Sequence, residues 1–257
     1  NCYMRGEGVE VNLVKTYEWY KKSAESGYAY AQSMLGLCYN EGVGVNQNFE
    51  EAFKWFLAAA EQDRADAQVF LGTCYRRGLG INKDMSRAFE WYSKSAEQGK
   101  SEAQFWAGKF YAEGWGGIDK DLEAAGWYEK SAEQGNLNAI CALGWCYQLG
   151  NGVEQDYEKA VKWFSKGAEK NDGVCINNLA RLIEDGKGEE QDYNQALELF
   201  KKATECDCAR ANYHIGRFYE NGLGVDADIE TAKEWYQKAA DNGDEDAKAA
   251  LSRLDAE

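Results

Sequence analysis

Apolar side chains recur at helical spacing in two segments that alternate along the chain. In the first segment, which we call helix A, they are Ala31, Leu35, Cys38 and Tyr39. In the second segment, helix B, they are Ala52, Trp55, Phe56, Ala59 and Ala60. Both sets follow a spacing close to 3.6 residues, so the sequence predicts paired amphipathic helices of about three turns each.

The helix pair repeats every 36 residues without insertion or deletion. One column of equivalent positions is Tyr3, Tyr39, Tyr75, Tyr111, Tyr147 and Tyr219, and another is Trp19, Trp55, Trp91, Trp127, Trp163 and Trp235. A single hairpin cannot bury its own apolar face, so we expect one all-α solenoid of about seven stacked hairpins. The expected divisions are a partial first repeat 1–28, full repeats 29–64, 65–100, 101–136, 137–172, 173–208 and 209–244, and a terminal helix 245–257.

Glycine and capping residues mark the predicted ends of the helices. The chain contains 27 glycines and no proline, and a pair such as Gly42 and Gly44 follows each helix A. We expect these pairs to close helix A, because a residue without a Cβ adopts the left-handed conformation readily. Asn48 and its equivalents are predicted N-caps of helix B. The small residues at Gly36 and Ala52 predict a close approach of the two helices, with the tryptophans filling space between hairpins.

Composition and charge exclude several classes of protein. With 44% hydrophobic residues the chain can bury a core, which argues against disorder. Lys+Arg 29 against Asp+Glu 44 gives a net charge of −15, which argues against nucleic-acid binding. No apolar stretch is long enough to span a membrane and no leader with a cleavage site opens the chain, so direct membrane insertion is not expected. The sequence begins with Asn1, so an upstream targeting segment could be missing.

The recurring pattern is A-x-x-x-L-G-x-x-Y-x-x-G-x-G-V followed by D-x-x-x-A-x-x-W-Y-x-K-x-A-x-x-G. It resembles the Sel1-like repeat, a 36-residue relative of the tetratricopeptide repeat, over essentially the whole chain. The resemblance implies a right-handed α-α superhelix that acts as an adaptor or scaffold for protein complexes. It is compatible with bacterial signalling, host interaction, membrane-protein degradation and cell-wall regulation alike.

The eight cysteines are predicted to serve mainly as small hydrophobic residues. Cys2, Cys38, Cys74 and Cys146 share a column that is otherwise apolar. A cysteine-rich branch of the resembled family bridges its helices with pairs across the loop between repeats, and no such pair occurs here. We therefore expect a reducing, cytoplasmic compartment, with a periplasmic or secreted location as the alternative if an upstream signal peptide is missing. Cys206 and Cys208 are the candidate reactive thiols.

The sequence offers little for catalysis, and no catalytic residue, metal or cofactor is expected. His214 is the only histidine, and its column holds mostly packing residues, so a packed or surface role is predicted. The G-x-G-V loops follow a helix instead of a strand, which favours helix termination over phosphate binding. Two alternatives stay open: a hydrolase, since activity towards β-lactams is associated with the cysteine-rich branch, and a module that self-associates through exposed solenoid ends.

Helix A residues that do not face helix B are the candidate partner-binding residues. By the resemblance they line a concave surface, in the columns of residues 30, 33, 37, 40 and 41. The selected residues are Phe105, Lys109, Trp145, Leu149, Arg181, Tyr213 and Arg217. The cations suit partner carboxylates and the aromatic residues suit hot-spot anchors. We therefore expect a non-catalytic scaffold for an acidic and hydrophobic peptide or protein, in signalling or complex assembly. The alternative is that Glu184, Asp185 and Glu220 neutralise the arginines one turn along the same helices.

Overall fold

The computed structural model describes residues 11–114 and 121–256, and within these ranges it contains fourteen α-helices and no strand. Cys2 and Tyr3 of the predicted columns, and Glu257 of the predicted terminal helix, lie outside the described residues. The helices are α1 (Leu13–Glu25), α2 (Ala29–Glu41), α3 (Phe49–Ala60), α4 (Ala65–Arg77), α5 (Met85–Glu97), α6 (Ser101–Ala112), α7 (Asp121–Glu133), α8 (Leu137–Leu149), α9 (Tyr157–Ala168), α10 (Gly173–Asp185), α11 (Tyr193–Glu205), α12 (Arg210–Asn221), α13 (Ile229–Asp241) and α14 (Glu245–Leu254).

The predicted all-α repeat of helix pairs is confirmed. Even-numbered helices are A helices and odd-numbered helices are B helices. The chain divides into two compact units, residues 1–134 and residues 135–257. Within each unit, every helix packs against the next one along the chain. The division of residues 1–257 into repeats of one continuous array stays a prediction.

In five of the hairpins an aromatic ring of helix B covers a glycine of helix A, at Gly36, Gly72, Gly108, Gly144 and Gly216, whereas the repeat 173–208 has Ala180 at this position. A Cβ built on Gly36 would lie 2.6 Å from the ring of Phe56, and one on Gly144 would lie 2.6 Å from the ring of Phe164. Both rings are fully buried. The need for a small residue in helix A is therefore explained, but what it accommodates is this ring, where we had expected the alanine at the position of Ala52.

The tryptophan column lies nearer the surface than predicted. Trp55 is only partly buried, and Trp19 is 59% exposed. In four copies, Trp91, Trp127, Trp163 and Trp235, the lysine three residues further along the helix lies over the indole ring. Nζ of Lys166, for example, is 3.8 Å from the ring centroid of Trp163. The prediction that the tryptophans fill space between hairpins holds in part, because Trp55, Trp91 and Trp127 pack against the buried core clusters while remaining partly exposed. The fully buried ring is that of the neighbouring Phe or Tyr, such as Phe56.

The two glycines of each loop have different structural roles. Gly42 ends α2 in the left-handed conformation, with φ at +73°, and its N–H donates to the carbonyl of Cys38. Gly44 approaches the first turn of α1 so closely that a Cβ would clash with the carbonyl oxygen of Leu13. The first glycine thus closes helix A as predicted, and the second lets the loop pack on the preceding repeat. Asn48 caps α3 by accepting from the N–H groups of Glu50 and Glu51.

A disulfide joins Cys141 on α8 to Cys175 on α10, which corrects the prediction for these two residues. The prediction rested on the apolar column that Cys38, Cys74 and Cys146 share and on the absence of pairs across the loop between repeats. This bridge instead joins different columns of successive repeats, with the Cα atoms 5.7 Å apart. Gly167 on α9 provides the space, because a Cβ there would clash with Sγ of Cys175. The residues equivalent to Gly167 in other repeats are Ala59, Ser95, Ser131, Ala203 and Ala239.

Other cysteines behave as small buried side chains. Cys38 and Cys74 are buried, and burial raises the pKa of each thiol to about 11. Cys206 and Cys208 are half-buried, and burial raises the pKa of the Cys208 thiol as well. A raised pKa disfavours the nucleophilic thiolate, so Cys208 is poorly suited to the reactive role considered for it.

Candidate partner-binding surface

The A-helix columns selected from the sequence line a pocket in each unit. The first-unit pocket, of about 380 Å³, takes from those columns Tyr30, Ser33, Leu37, Asp66, Val69 and Glu102. The second-unit pocket, of about 440 Å³, takes from them Tyr213, Arg217, Glu220, Asn221, Asp246, Ala249 and Arg253. These columns therefore form accessible concave surface within each unit.

Both candidate residues of the first unit are engaged by their neighbours. Phe105 is half-buried, with its ring centroid 5.4 Å from that of Trp106 and 6.0 Å from that of Tyr128. Lys109 pairs with Glu113, at 3.4 Å between Nζ and Oε1, and its Nζ lies 5.5 Å from the centroid of Trp106. Phe105 and Lys109 are therefore accounted for by contacts within their own unit, and no binding partner is needed to explain them.

Arg217 of the second unit is also engaged. Its Nη1 lies 3.2 Å from Oε1 of Glu184, whose side chain is only 10% exposed. Burial raises the pKa of the Glu184 carboxyl, and Arg217 opposes that rise by favouring the carboxylate. Arg253 pairs in the same way with Glu220, one repeat further along. The alternative that carboxylates on the same helix neutralise the arginines holds in part, because Glu184 interacts electrostatically with Arg181 and Glu220 with Arg217. The direct ion pairs, however, join Arg217 and Arg253 to carboxylates of the A helix of the preceding repeat.

Arg181 breaks this ladder of ion pairs. No described carboxylate lies within ion-pair distance of its guanidinium, and Arg181 is exposed. The position that should hold its carboxylate, 33 residues earlier as in the Arg217–Glu184 pair, is Gln148. The side-chain oxygen of Gln148 is buried and has no hydrogen-bond donor among the described residues. Arg181 therefore has no direct ion pair among the described residues, and its electrostatic interaction with Glu184 on the same helix acts at longer range.

Two large apolar side chains on α8 are exposed in the same unit. Trp145 is 41% exposed and Leu149 is 61% exposed. They stand four residues apart on the helix, so they share a face. Trp145 belongs to the same column as Arg181 and Arg217, one repeat before Arg181 and two before Arg217. The A helix with Trp145 and Leu149 therefore exposes apolar side chains, and the next A helix exposes Arg181.

Tyr213 and His214 belong to the packing of the second unit. The ring of Tyr213 lies 5.6 Å from that of Tyr236, and His214 stacks on Phe200 at 4.7 Å between centroids. Burial, together with nearby arginines such as Arg181, lowers the pKa of His214 to about 3. The predicted packing role of His214 is therefore confirmed.

Two residues at the first-unit pocket were missed by the sequence analysis. Arg64 and Lys100 line this pocket from the position just before helix A. Of the four equivalent positions in the second unit, three are the capping residues Asn136, Asp172 and Asp244, and the fourth is Cys208. The change from capping residue to cation is visible in the sequence and was the available signal.

Antiparallel helix pairs repeated every 36 residues, with a variable A-helix face, define a tetratricopeptide-like helical-repeat protein. The Sel1 repeat profile matches residues 1–28, 29–63, 65–100, 101–136, 137–172, 174–208 and 209–244. The chain belongs to the Sel1 repeat family. Repeats of this kind generally mediate protein–protein interaction, and proteins of the family are generally non-catalytic scaffolds.

Solved structures agree with this assignment. The chain is similar to c5321, a protective antigen of uropathogenic Escherichia coli strains, at 34% identity and a TM-score of 0.86, over 98% of this chain and 54% of the antigen. It therefore spans about half the length of that protein. It is also similar to a Sel1 repeat protein from Oxalobacter formigenes, at 32% identity and a TM-score of 0.77, over 90% of this chain and 97% of the other. No curated protein matches the chain in a sequence search.

None of the helices in residues 11–114 and 121–256 is both long and apolar enough to span a membrane.

Proposed function

We propose that this chain is a non-catalytic scaffold or adaptor that binds a protein or peptide partner on the A-helix face of its second unit, in signalling or complex assembly. The observation that carries the proposal concerns three exposed side chains of one unit. Arg181 has no carboxylate within ion-pair distance among the described residues, and Trp145 and Leu149 are large apolar side chains. We call these three residues the docking surface. A partner segment with an acidic and a hydrophobic residue fits it, because desolvated aromatic and arginine contacts dominate binding energy.

The docking surface is a subset of the seven residues selected from the sequence. Arg217 already has a carboxylate, so a partner would have to compete with Glu184 for it. Phe105, Lys109 and Tyr213 contact side chains of their own units. These four residues already have partners within their own units and are therefore not part of the docking surface.

The hydrolase alternative has no support at the histidine. His214 is buried against Phe200, and its pKa of about 3 leaves a weak base that is out of contact with solvent. A general base has to reach the proton that it removes and has its best pKa near the working pH. His214 meets neither condition.

The disulfide bears on the compartment in which the scaffold works. The sequence left a reducing compartment and a periplasmic or secreted location as alternatives, and the first rested on the absence of disulfides. The Cys141–Cys175 bridge removes that basis. Because disulfides persist in oxidising surroundings, the bridge supports the periplasmic or secreted location.

The proposal is tested by capture of the partner with matched variants. A Trp145→Ala/Arg181→Glu double variant is compared with the wild type and with a control, Trp163→Ala/Lys166→Glu. The control also replaces a tryptophan by alanine and a cation by glutamate, but on helix B of the same unit. We expect a protein captured by the wild type and the control to be missing from the double variant. The purified partner should then bind the double variant at least about 10-fold more weakly. An equal Kd for the double variant and the wild type would contradict the docking surface.

A further inference from the structure

Three cysteines and one aspartate of the second unit lie where successive repeats meet. Cys141 belongs to α8, Asp172 and Cys175 to the beginning of α10, and Cys208 to the turn before α12. The sulfur and carboxylate atoms of the first three residues lie within 4.8 Å of one another. Cys141 and Cys175 are buried, whereas Asp172 and Cys208 are partly exposed, so the group borders on solvent.

The fold itself does not require a cysteine at position 175. The other repeats have alanine in this column, at Ala31, Ala67, Ala103, Ala139, Ala211 and Ala247. Gly167 makes room for the larger residue, because a Cβ there would clash with Sγ of Cys175. The bridge to Cys141 accounts for these two departures from the repeat. It does not account for the two further ligand groups beside it.

The first of these groups is the Asp172 carboxylate. Its Oδ1 accepts from the N–H of Cys175 at 2.8 Å, as an N-cap, and also lies 3.2 Å from Sγ of Cys141. A bridged sulfur carries no hydrogen, so this second contact joins two electron-rich atoms with no proton between them. A reduced Cys141 would place an S–H donor there, and a bound cation would place a positive charge between the two atoms. The contact therefore suits an open bridge better than a closed one.

The second group is the thiol of Cys208, which another glycine brings close. Gly173 is the single glycine of its column in the sequence, and a Cβ on it would clash with the carbonyl oxygen of Cys206 and lie 3.1 Å from Cβ of Cys208. The turn that carries Cys208 thus packs on the first residue of α10, next to Asp172. Burial raises the pKa of the Cys208 thiol, and the charge of Asp172 raises it further. A bound cation reverses this effect, because a coordinated thiol is deprotonated.

We propose that, once the bridge is reduced, these residues bind a thiophilic divalent cation of the Zn²⁺ class through Cys141, Asp172 and Cys175, with Cys208 as the fourth ligand. Thiolates and a carboxylate are ligands that Zn²⁺ accepts in a tetrahedral site. Cys175 and Cys208 also lie close to the N-terminal ends of α10 and α12, where the helix dipole favours an anionic sulfur. No metal was expected from the sequence, because a single histidine removes histidine-pair sites. The inference goes beyond the proposed function and does not rest on it.

Only a small movement separates the bridged arrangement from the metal-bound one. Two sulfurs on one tetrahedral Zn²⁺ are about 3.8 Å apart, because each Zn–S bond is about 2.3 Å long. Two bridged sulfurs are about 2.05 Å apart. The Cα atoms of Cys141 and Cys175 are 5.7 Å apart, and rotation of the two side chains can supply the remaining separation of about 1.8 Å. The helices α8 and α10 can therefore keep their places in both states.

The bridge and the metal are alternative states of the same two sulfurs. A dithiol opens the bridge: the S–S bond of the protein breaks, two electrons and two protons pass to its sulfurs, and the dithiol becomes a disulfide. The cation then displaces protons from the coordinated thiols, and these protons leave to solvent. A low-molecular-weight disulfide takes the two electrons back, closes the bridge and expels the cation. The site thus couples metal content to redox state.

The test is an anaerobic titration of the full chain with Co²⁺, which serves as a coloured substitute for Zn²⁺. One sample is reduced with dithiothreitol, which is then removed, and a bridged sample is titrated in parallel. We expect the reduced chain to bind about one Co²⁺, with an intense thiolate-to-cobalt charge-transfer absorption and release of protons. Zn²⁺ should displace the Co²⁺ and remove the absorption. The bridged sample should show neither the absorption nor the release of protons.

Matched variants test the individual ligands. Cys175→Ala installs the residue of the other repeats, so it should preserve the fold and lose the cobalt absorption. Asp172→Asn keeps an N-cap and removes the charge, and Asp244→Asn is the same change at a cap of the same unit without cysteines beside it. Cys208→Ser is compared with Cys206→Ser in the same turn. Asp172→Asn and Cys208→Ser should each bind Co²⁺ at least about 10-fold more weakly than the matched control.

Circular dichroism of each variant checks that the helices are intact. No thiolate-to-cobalt absorption in the reduced chain up to about 1 mM Co²⁺, or equal absorption in the bridged chain, would overturn the proposal. Unchanged binding by Cys175→Ala or by Asp172→Asn would overturn it as well. Equal affinities of Cys208→Ser and Cys206→Ser would overturn the assignment of Cys208 as the fourth ligand.

Discussion

Arg217 on α12 donates to Glu184 on α10, with 3.2 Å between Nη1 and Oε1, and thereby joins the A helices of two successive repeats. Glu184 is largely buried, so this arginine is the group that compensates a desolvated carboxylate. Arg181 stands in the same column but forms no direct ion pair in the described part of the chain, and Glu184 interacts with it only at longer range. Two residues that look equivalent in the sequence therefore differ in their role, one structural and one available for binding.

Replacing Arg217 should cost stability, whereas replacing Arg181 should not. Arg217→Ala leaves the Glu184 carboxylate buried without its partner, and we expect a loss of about 2 kcal/mol in the free energy of unfolding. Arg181→Ala is the matched control, with an expected change within about 0.5 kcal/mol. Urea unfolding followed by circular dichroism measures both. Equal losses for the two variants would argue against the assignment of roles.

The glycines inside helices should differ sharply in their tolerance of a methyl group. A Cβ on Gly108 would lie 2.8 Å from the ring of Tyr128, so Gly108→Ala should destabilise the chain by about 1–3 kcal/mol. Nothing lies within 4 Å of the equivalent atom on Gly126, on the adjoining helix. Gly126→Ala should therefore be neutral or stabilising by up to about 1 kcal/mol, because alanine is the better helix former. Thermal unfolding of the two variants, compared with the wild type, is the measurement.

The Cys141–Cys175 bridge should make stability sensitive to reductant. Opening it removes a constraint on the unfolded chain, and we expect the free energy of unfolding to fall by about 2–4 kcal/mol in the presence of a dithiol. A Cys141→Ser/Cys175→Ser variant should be weaker from the start and show no further response to the dithiol. Peptide mapping under non-reducing conditions should recover the two cysteines in one cross-linked fragment. A wild type that unfolds identically with and without reductant would count against the bridge.

His214 should make the protein less stable as the pH falls. In the unfolded chain its pKa is near the ordinary histidine value of 6.5, whereas burial lowers it to about 3 in the folded protein. Arg181, Arg210 and Arg217 also disfavour the imidazolium there, and Asp185 favours it. Between these values the unfolded state binds the proton and the folded state does not. Stability is therefore fully present above pH 6.5 and is lost towards pH 3, by up to about 1.4 kcal/mol per pH unit.

The control for this pH dependence is His214→Phe, which keeps a ring against Phe200 and removes the titrating group. The difference in unfolding free energy between wild type and variant should fall by about 2 kcal/mol from pH 7 to pH 5. Because both proteins share every other titrating side chain, the difference isolates the histidine. A difference that does not change with pH would show that His214 has the same pKa in the folded protein as in the unfolded chain.

Much of the fold could be read from the sequence because each repeat gives a separate copy of the same evidence. The columns of Leu35, Gly42 and Asn48 predicted helix A, its end and the start of helix B, and α2 and α3 have those bounds. The assignment of Trp55 to the inner face was only partly right: Trp55 packs against the core while partly buried, and the following Phe56 is the ring that is fully buried. The spacing alone does not decide which of two adjacent residues faces the neighbouring helix.

The candidate site was predictable as a set of columns but not as a set of roles. The columns at Tyr30, Ser33 and Leu37 do line a pocket in the first unit. The sequence did not show that Arg217 is compensated and Arg181 is not, since the carboxylate that decides this comes from another helix. It also did not pair Cys141 with Cys175, because their columns differ.

The sequence by itself determined that this chain is an array of helix hairpins with a fixed period, because hydrophobic spacing, glycine and capping residues are local signals that recur unchanged in every copy. The tertiary structure decided which of the equivalent side chains form ion pairs or packing contacts within the protein and which are exposed without such contacts. That decision depends on distances between successive repeats: Glu184 reaches Arg217, Cys175 reaches Cys141, and Asp66 holds both Arg64 and Lys100 beside an apolar pocket. Charge and burial act through space, so residues that are alike in the sequence acquire different chemistry only where the neighbouring helix places its partner.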